Sequence, residues 1–229
     1  MNIALIVAAG SGTRMGTDIP KQFLLVNDKP LLIYTIEAFN QNEDIDAIYI
    51  ITSEDYILKV QAWCVAYKLN KVKDIVMGGN SRQESVYRGL KSIKANKDDC
   101  ILIHDGTRPL VSQDIINNNI SASKKYDAID TAIKASDTII NSKDGEIINT
   151  IPARNELYQS QTPQTFKYDL ILKAHEAALS GQIQDATDDA RLIMALGKEV
   201  HLVEGNKQNF KITTTDDLKL LKALLSINQ

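Results

Sequence analysis

The run IALIV at residues 3–7 constrains the fold most strongly, because every side chain in it is apolar and no polar residue alternates with them. Such a run is typical of a strand buried on both faces of a parallel sheet, whereas a half-exposed strand alternates. Similar short apolar runs, each followed by helical periodicity, recur along most of the chain. The pattern predicts an α/β fold with a doubly wound, mainly parallel, Rossmann-like sheet. In such sheets ligands bind at the carboxyl ends of the strands.

The segment after this run, AAGSGTRMGTDIPK, is rich in small residues and carries two cations, Arg14 and Lys21. Glycines let backbone N–H groups approach an oxyanion closely, because no Cβ stands in the way. The spacing departs from a Rossmann fingerprint, since Gly16 comes one residue late, and from a Walker A loop, since no lysine follows Gly16. A tight turn with incidental charges is one interpretation. The two cations after a buried strand favour the other, a loop that wraps a polyphosphate.

Composition excludes several classes of protein. The 229 residues are enough for a single domain with a full core, which we place at 1–229. The net charge is −3 and the basic residues are dispersed, which argues against nucleic-acid binding. No apolar run approaches a membrane span, and residues 1–2 lead directly into a strand, so we expect neither a membrane segment nor a signal peptide. Cys64 and Cys100 are expected to be core thiols of a cytoplasmic protein.

The strand–helix rhythm is interrupted at Asp137. Residues 138–140 and 147–151, separated by a polar turn at 141–146, predict a β-hairpin that protrudes as an arm at about 137–157. So short a hairpin cannot bury itself, so a second subunit is a reasonable partner for it. The rhythm then resumes, with a last strand expected at 210–213 and a last helix that opens with the capping pair Thr214 and Asp217.

Small and polar residues follow two of the predicted strands. Gly78, Gly79, Asn80, Arg82 and Ser85 come after one of them and suit a base or ribose, although a helix start capped by Ser81 explains about half of this pattern. The sequence HDGTRP at 104–109 follows the other strand.

Within HDGTRP, Asp105 admits two interpretations that the sequence leaves open. Next to a triphosphate loop its carboxylate is a candidate ligand for Mg²⁺, which prefers oxygen and is often shared with substrate phosphates. It could equally cap the loop. His104 suggests a general base, but a lone histidine on a strand more often has a structural role. No nucleophile–base pair and no zinc spacing is present. Cations, acids and backbone amides suit phosphoryl or nucleotidyl transfer, in which catalysis is mostly positioning and charge neutralisation.

The glycine-rich loop is followed in order by GGxxRxxSV, HDGTRP, QTPQTF, ATDDA and NFKITT. With these motifs the chain resembles the family of 2-C-methyl-D-erythritol 4-phosphate cytidylyltransferase and its relative ribitol-5-phosphate cytidylyltransferase, over essentially its whole length. The resemblance implies transfer of CMP from CTP to a polyol phosphate with release of pyrophosphate. It also implies Mg²⁺ or another divalent cation as cofactor, and a homodimer that exchanges its arms.

The resemblance further implies a role for individual positions. Arg14 and Lys21 match the catalytic residues that stabilise the transition state at the α-phosphorus. The positions that match nucleotide binding are Ala8, Ala9, Gly10, Gly12, Gly79, Arg82, Ser85, Asp105 and Gly106. The positions on the polyol-phosphate side are Asp105, Arg108, Thr162, Thr187 and Lys211. Thr138 and Arg154 match residues that the family supplies from the partner's arm.

The motifs leave the acceptor open. VAAGSGTRMG, ATDDA and LVEG look like the methylerythritol enzyme, whereas ASDTI, PARNELYQSQTPQTF and FKITTTDDLK look more like the ribitol enzyme. Gly106 stands where an alanine is usual. Methylerythritol phosphate is placed slightly ahead of ribitol phosphate. Two further hypotheses are a sugar-1-phosphate uridylyl- or thymidylyltransferase, which shares the loop, and a nucleotide-binding regulatory protein that has lost catalysis.

Overall fold

The computed structural model describes residues 1–10, 19–183 and 188–227. Within them the strands are β1 (Asn2–Ala8), β2 (Leu25–Val26), β3 (Lys29–Pro30), β4 (Ala47–Thr52), β5 (Val72–Met77), β6 (Cys100–Asp105), β7 (Ala128–Lys134), β8 (Tyr158–Lys167) and β9 (His201–Glu204). The α-helices are α1 (Leu31–Gln41), α2 (Ile57–Ala66), α3 (Arg82–Ser92), α4 (Gln113–Ser123), α5 (Tyr168–Leu179), α6 (Asp189–Ala195) and α7 (Thr215–Ile227).

Seven of these strands form one sheet in the order β5-β4-β1-β6-β8-β7-β9. All neighbours pair in parallel except β8, which is antiparallel to both β6 and β7. The predicted mainly parallel α/β sheet is therefore confirmed. β2 and β3 form a separate antiparallel hairpin that leads into α1.

The apolar strands at the centre of the sheet create two cores. In β1, alternate side chains point to opposite faces, so Ile6 packs with α1, α2 and α4 while Leu5 packs with α3, α5 and α6. Both side chains are fully buried. Complete burial of such a side chain contributes about 1.5–3 kcal/mol, which favours the placement of β1, β4 and β6 in the interior of the sheet rather than at its edges.

The capping of the last helix is confirmed, but the strand predicted just before it is wrong. Oδ2 of Asp217 accepts from the N–H of Thr214 at 2.8 Å, and Oγ1 of Thr214 accepts from the N–H of Asp217 at 3.2 Å. Residues 210–213 belong to no strand. Instead the N–H of Ile212 donates to the carbonyl of Thr107 at 2.9 Å, so this segment is fastened to the loop after β6 rather than to a strand.

The arm leaves the sheet after β7 and returns at β8, but its two predicted strands are not formed. The fully described segment contains one isolated antiparallel bridge between Asn141 and Thr150, which reverses the chain. Residues 136–156 are exposed throughout. A regular hairpin needs a neighbouring strand or an apolar layer to cover one face, and no element among the described residues supplies one here.

None of the helices in the described part of the chain combines the length and apolarity that crossing a bilayer requires.

Candidate active site

A cavity of about 500 Å³ opens at the carboxyl ends of β1, β5 and β6. Its lining comes from the end of β1, the 3₁₀ turn Lys21–Phe23, the start of α3, the end of β6 and the segment before α7. The lining residues are Val7, Ala8, Ala9, Gly10, Lys21, Gln22, Gly79, Asn80, Ser81, Arg82, Ser85, Asp105, Thr107 and Lys211. This is the edge of a parallel sheet where ligands are expected.

Gln22 links the 3₁₀ turn to the end of β1, two parts of the chain that line the cavity. Its Nε2 donates to the carbonyl of Ala8 and to the carbonyl of Gly10, each at 2.8 Å, and the residue is 2% exposed. The amide therefore satisfies two backbone oxygens at the end of β1. Because Gln22 directly follows Lys21, the same contacts set the position of that lysine relative to the loop.

The turn between β5 and α3 is built from small residues. Ser81 caps α3, since its Oγ accepts from the N–H of Glu84 at 3.0 Å. The Oγ of Ser85 accepts from the N–H of Gly79 at 2.9 Å and donates to the carbonyl of Ser81 at 2.8 Å. Gly78 packs so tightly against the end of β1 that a Cβ there would overlap the Cβ of Ala9. The cap and the tight packing are thus both present at this turn.

Asp105 lies at the centre of a cluster of cations. Its Oδ2 is 2.9 Å from Nζ of Lys211 and 3.4 Å from Nε of Arg108, and its Oδ1 is 4.0 Å from Nε of Arg82. Burial raises the pKa of Asp105, but Lys211, Arg82 and Arg108 outweigh burial and hold this pKa far below its usual range. The carboxylate is therefore ionised at neutral pH.

A short hydrogen-bonded chain fixes the backbone at Asp105. The N–H of Asp105 donates to Oγ1 of Thr162 at 3.0 Å, and that hydroxyl lies 3.1 Å from Nδ1 of His104. Nε2 of His104 lies 3.1 Å from the carbonyl of Arg108, which can only accept, so the ring proton is assigned to Nε2. Burial lowers the pKa of His104 to about 4. His104 is thus a neutral structural residue, with both nitrogens occupied.

Arg82 forms an ion pair with Asp189, which lies at the start of α6. Its Nη2 lies 2.7 Å from Oδ2 of Asp189. Burial disfavours the charge on Arg82, but Asp189 and Asp105 outweigh burial and raise the pKa of Arg82. A fixed guanidinium therefore forms one wall of the cavity.

The segment that carries Lys211 is fastened by Asn209. Its Nδ2 donates to the carbonyl of Thr162 at 2.8 Å, and its own carbonyl accepts from Nη1 of Arg108 at 2.7 Å. Asn209 is fully buried. Arg108 therefore acts as a strut between β6 and this segment, which places Lys211 against Asp105.

The structure brings nine of the predicted site residues into the lining of one cavity: Ala8, Ala9, Gly10, Lys21, Gly79, Arg82, Ser85, Asp105 and Lys211. Gly106, Arg108 and Thr162 lie next to Asp105 but do not line the cavity. Thr138 and Arg154 lie on the exposed arm and are not brought to it. Gly12, Arg14 and Thr187 lie outside the described residues.

Sequence reasoning missed several residues that organise the cavity, chiefly Gln22, Thr107, Asp189 and Asn209. Gln22 carried a signal, because it follows Lys21 directly in PKQ. For Asp189 and Asn209 the sequence offered only their positions in the motifs ATDDA and NFKITT. Their contacts are to residues distant in the chain, and no spacing rule predicts such contacts.

The donor set does not form a metal site held by the protein alone. Among the described residues no group of three or more His, Cys, Asp or Glu side chains is placed to hold a metal ion, and Asp105 is the single carboxylate in the described lining. One carboxylate fits an Mg²⁺ ion whose other ligands are substrate phosphates and water. The chemistry on offer is therefore anion binding by cations and amides, with one carboxylate.

Comparisons with known proteins agree with this geometry. The family model described as 2-C-methyl-D-erythritol 4-phosphate cytidylyltransferase matches residues 2–227. The protein of that name from Clostridium acetobutylicum is 46% identical over 230 residues, covering 100% of this chain and 99% of the relative. The one from Clostridium novyi is 44% identical, covering 98% and 96%.

Solved structures give the same picture. The 4-diphosphocytidyl-2C-methyl-D-erythritol synthase of Anaerococcus prevotii superposes with a TM-score of 0.86 at 29% identity, covering 99% of this chain and 98% of that one. The 2-C-methyl-D-erythritol 4-phosphate cytidylyltransferase of Francisella tularensis superposes with a TM-score of 0.81 at 30% identity, covering 97% and 99%.

Proposed function

The chain belongs to the 2-C-methyl-D-erythritol 4-phosphate cytidylyltransferase family, and on that premise we propose that its cavity binds CTP and 2-C-methyl-D-erythritol 4-phosphate side by side. The enzyme transfers CMP to the acceptor and releases pyrophosphate, a step of the non-mevalonate isoprenoid pathway. Relatives with this name at about 45% identity favour methylerythritol phosphate over the ribitol phosphate that the motifs had left open.

One observation carries the assignment of the reaction to this cavity. Lys21, Arg82 and Lys211 enter it from three separate parts of the chain, and Asp105 is the only carboxylate opposite them in the described lining. The described lining therefore carries more positive than negative charge, at the carboxyl end of the sheet. Such a site suits two polyanionic substrates that must be brought together.

The cations of the cavity reduce the electrostatic repulsion between the two anionic substrates. A phosphate monoester is largely dianionic at neutral pH, because its second pKa is about 6, so it can attack the α-phosphorus without a general base. His104 is not available as a base, since both its nitrogens are occupied inside the protein. What the site must supply is relief of repulsion between two anions. We assign this to Lys21 and Lys211, together with Arg14, which lies outside the described residues.

We assign each side of the cavity to one of the two substrates. Gly10, Gly79 and Ser85, with Ala8 and Ala9, form the small-residue side, which we assign to the nucleotide, and Arg82 closes it. Asp105 and Lys211 form the other side, which we assign to the polyol phosphate. Gly106, Arg108 and Thr162 support Asp105 from behind. Thr187, also predicted on this side, lies outside the described residues.

Asp105 is the residue that would hold Mg²⁺, as one ligand of an ion that arrives with the triphosphate. When bound, the ion would supply charge neutralisation at the phosphate oxygens. Lys211 already balances Asp105, so the protein holds the carboxylate ionised and in place before substrate binds.

The exposed arm supports a homodimer. Its exposed isoleucines are 39–64% accessible, and they are Ile139, Ile140, Ile147, Ile148 and Ile151. A cluster of exposed apolar side chains on so short a segment marks an interaction surface. A second copy that covers the arm would also give Thr138 and Arg154 a cavity to reach, since neither belongs to the described lining of their own chain's cavity. We therefore propose one domain over 1–229 with a dimerisation arm at about 137–157.

The test is a side-by-side assay. Purified protein is incubated with CTP and Mg²⁺ and with either 2-C-methyl-D-erythritol 4-phosphate or D-ribitol 5-phosphate, and pyrophosphate release is followed. We expect turnover with the first acceptor, little with the second, and little when UTP or dTTP replaces CTP. Absence of pyrophosphate with both acceptors, despite CTP binding, would favour the regulatory alternative. Sedimentation of the same sample tests the dimer.

A further inference from the structure

Helix α5 carries a histidine, His175, that is fully buried and lies outside the cavity. Its Nε2 is 3.0 Å from Oδ1 of Asp189. Its Nδ1 is also buried and has no hydrogen-bond partner in the described structure. A buried polar atom without a partner lowers stability, and an apolar side chain at this place between α5 and α6 would avoid that loss. We therefore attribute the presence of a histidine here to the contact of its Nε2 with Asp189.

The group that His175 contacts is a bridging carboxylate. Asp189 is 1% exposed, and its Oδ2 is the atom that pairs with Nη2 of Arg82 at 2.7 Å. Because a carboxylate only accepts, the proton between His175 and Asp189 is assigned to Nε2 of the ring. The N–H of Asp189 donates to Oε1 of Gln164 at 3.1 Å, which fixes its backbone as well. The carboxylate thus has one oxygen directed at the histidine and the other at the arginine.

Arg82 has a competing partner on the other side of the cavity. Its Nε lies 4.0 Å from Oδ1 of Asp105, whose Oδ2 is already paired with Lys211. A guanidinium freed from Asp189 would move toward Asp105 and compete with Lys211 for it. The direction in which Arg82 points is therefore decided by how firmly Asp189 is held.

We propose that His175 is a positioning residue for CTP binding: its Nε2–H holds the Asp189 carboxylate in the orientation that directs Arg82 into the cavity. The inference rests on the proposed role of Arg82 in nucleotide recognition. It assigns a function to a histidine that touches no substrate, and it makes the α5–α6 contact part of the nucleotide site.

Two substitutions separate positioning from simple packing. His175→Leu removes the Nε2–H donor and fills its place with an apolar side chain of similar size. His175→Gln instead places an amide N–H near the position of Nε2. We expect His175→Leu to raise both the Kd and the KM for CTP about tenfold, the equivalent of one lost hydrogen bond to a charged group, with kcat within about twofold. His175→Gln is expected to restore most of the affinity.

The matched control is Lys173→Met on the same helix. Its ion pair with Asp169 is exposed, at 2.6 Å, and the variant is expected to leave CTP affinity unchanged. Thermal unfolding is measured for every variant. If His175→Leu does not fold, Asp189→Asn, which keeps the shape of the carboxylate but not its charge, is expected to raise the KM for CTP in the same direction.

A double-variant cycle with Arg82→Ala completes the test. If His175 acts through Arg82, His175→Leu has no further effect on CTP binding once Arg82 is absent. An equal tenfold loss in both backgrounds overturns the inference, as does unchanged CTP affinity in folded His175→Leu while Arg82→Ala binds weakly. If Arg82→Ala itself binds CTP normally, the proposed role of Arg82 fails and this inference fails with it.

Discussion

The ammonium of Lys211 lies 2.9 Å from Oδ2 of Asp105, so a cation from the segment before the last helix neutralises a carboxylate at the end of the central strand β6. The two residues are far apart in the chain and meet because Asn209 and Ile212 fasten that segment to Thr162 and Thr107. This ion pair joins the carboxyl end of β6 to the segment before α7 within the cavity lining.

Asp105→Asn is the first prediction. The amide keeps the shape of Asp105 but no longer pairs with Lys211, so the lysine loses its fixed position. We expect kcat/KM for 2-C-methyl-D-erythritol 4-phosphate to fall by about a hundredfold, which steady-state kinetics at saturating CTP would measure. The control is Glu37→Gln, which breaks the Lys29–Glu37 ion pair of 2.8 Å outside the cavity. Equal kinetics for the two variants would contradict the role of Asp105.

Lys21→Met tests charge neutralisation directly. Lys21 lines the cavity, and in the proposed reaction it offsets repulsion between the two anions in the transition state. Removing its charge should therefore lower kcat by about a hundredfold or more. Lys59→Met serves as the control, since Lys59 lies over the Trp63 ring on α2, outside the cavity. Single-turnover kinetics would separate the chemical step from binding. A kcat unchanged by Lys21→Met would refute the assignment.

Gln22→Met tests one of the residues that sequence reasoning missed. Methionine has a similar length but no donor, so the carbonyls of Ala8 and Gly10 lose their partner while the packing is largely kept. We expect the free energy of unfolding to fall by about 1–3 kcal/mol and the KM for CTP to rise by about tenfold. Urea unfolding and steady-state kinetics measure the two effects. A stable variant with normal CTP affinity would show that the two hydrogen bonds do not shape the loop.

Gly78→Ala tests the close approach of the β5–α3 turn to the end of β1. The new Cβ would overlap the Cβ of Ala9, so the turn must shift, and overpacking of this kind lowers stability by about 1–3 kcal/mol. The double variant Ala9→Gly with Gly78→Ala removes the overlapping atom and should recover part of the loss. Calorimetric unfolding of both proteins is the measurement, and a double variant no more stable than Gly78→Ala would place the strain elsewhere.

The ionisation of Asp189 makes the stability of the fold depend on pH in the acidic range. Burial raises the pKa of Asp189, but Arg82 and His175 outweigh burial and lower it to about 2, against an ordinary value of 3.8. Since the pKa is depressed in the folded state, the ionised carboxylate stabilises the protein above pH 3.8. That contribution is lost as the pH falls through 3.8 toward about 2.

The loss amounts to about 2 kcal/mol of unfolding free energy for this one group. Asp189→Asn removes the titration, so its unfolding free energy, although lower at pH 7, should decline less steeply than that of the parent below pH 4. Denaturant unfolding at a series of pH values measures both slopes. Parallel curves would show that Asp189 does not titrate in this way.

Several features followed from the sequence because they depend on neighbouring residues. The apolar runs of β1, β4 and β6 predicted the sheet, since a strand buried on both faces needs no polar alternation. The pair Thr214 and Asp217 predicted the cap of α7, because a capping box is closed within one turn of helix. By contrast, the apolar pattern at 210–213 suggested a strand where the chain instead docks onto Thr107. The isoleucine-rich stretches of the arm similarly suggested two strands, of which one isolated bridge between Asn141 and Thr150 forms.

The sequence by itself determined which strands are buried on both faces, how the last helix is capped, and which segments carry small or cationic residues. Only the tertiary structure decided that Lys211 meets Asp105, that Asp189 and His175 hold Arg82, and that Gln22 occupies the carbonyls of Ala8 and Gly10. The physical reason is the range of the interactions. Periodicity and capping act over a few residues, whereas an ion pair between distant segments exists only after the sheet has brought the strand ends together.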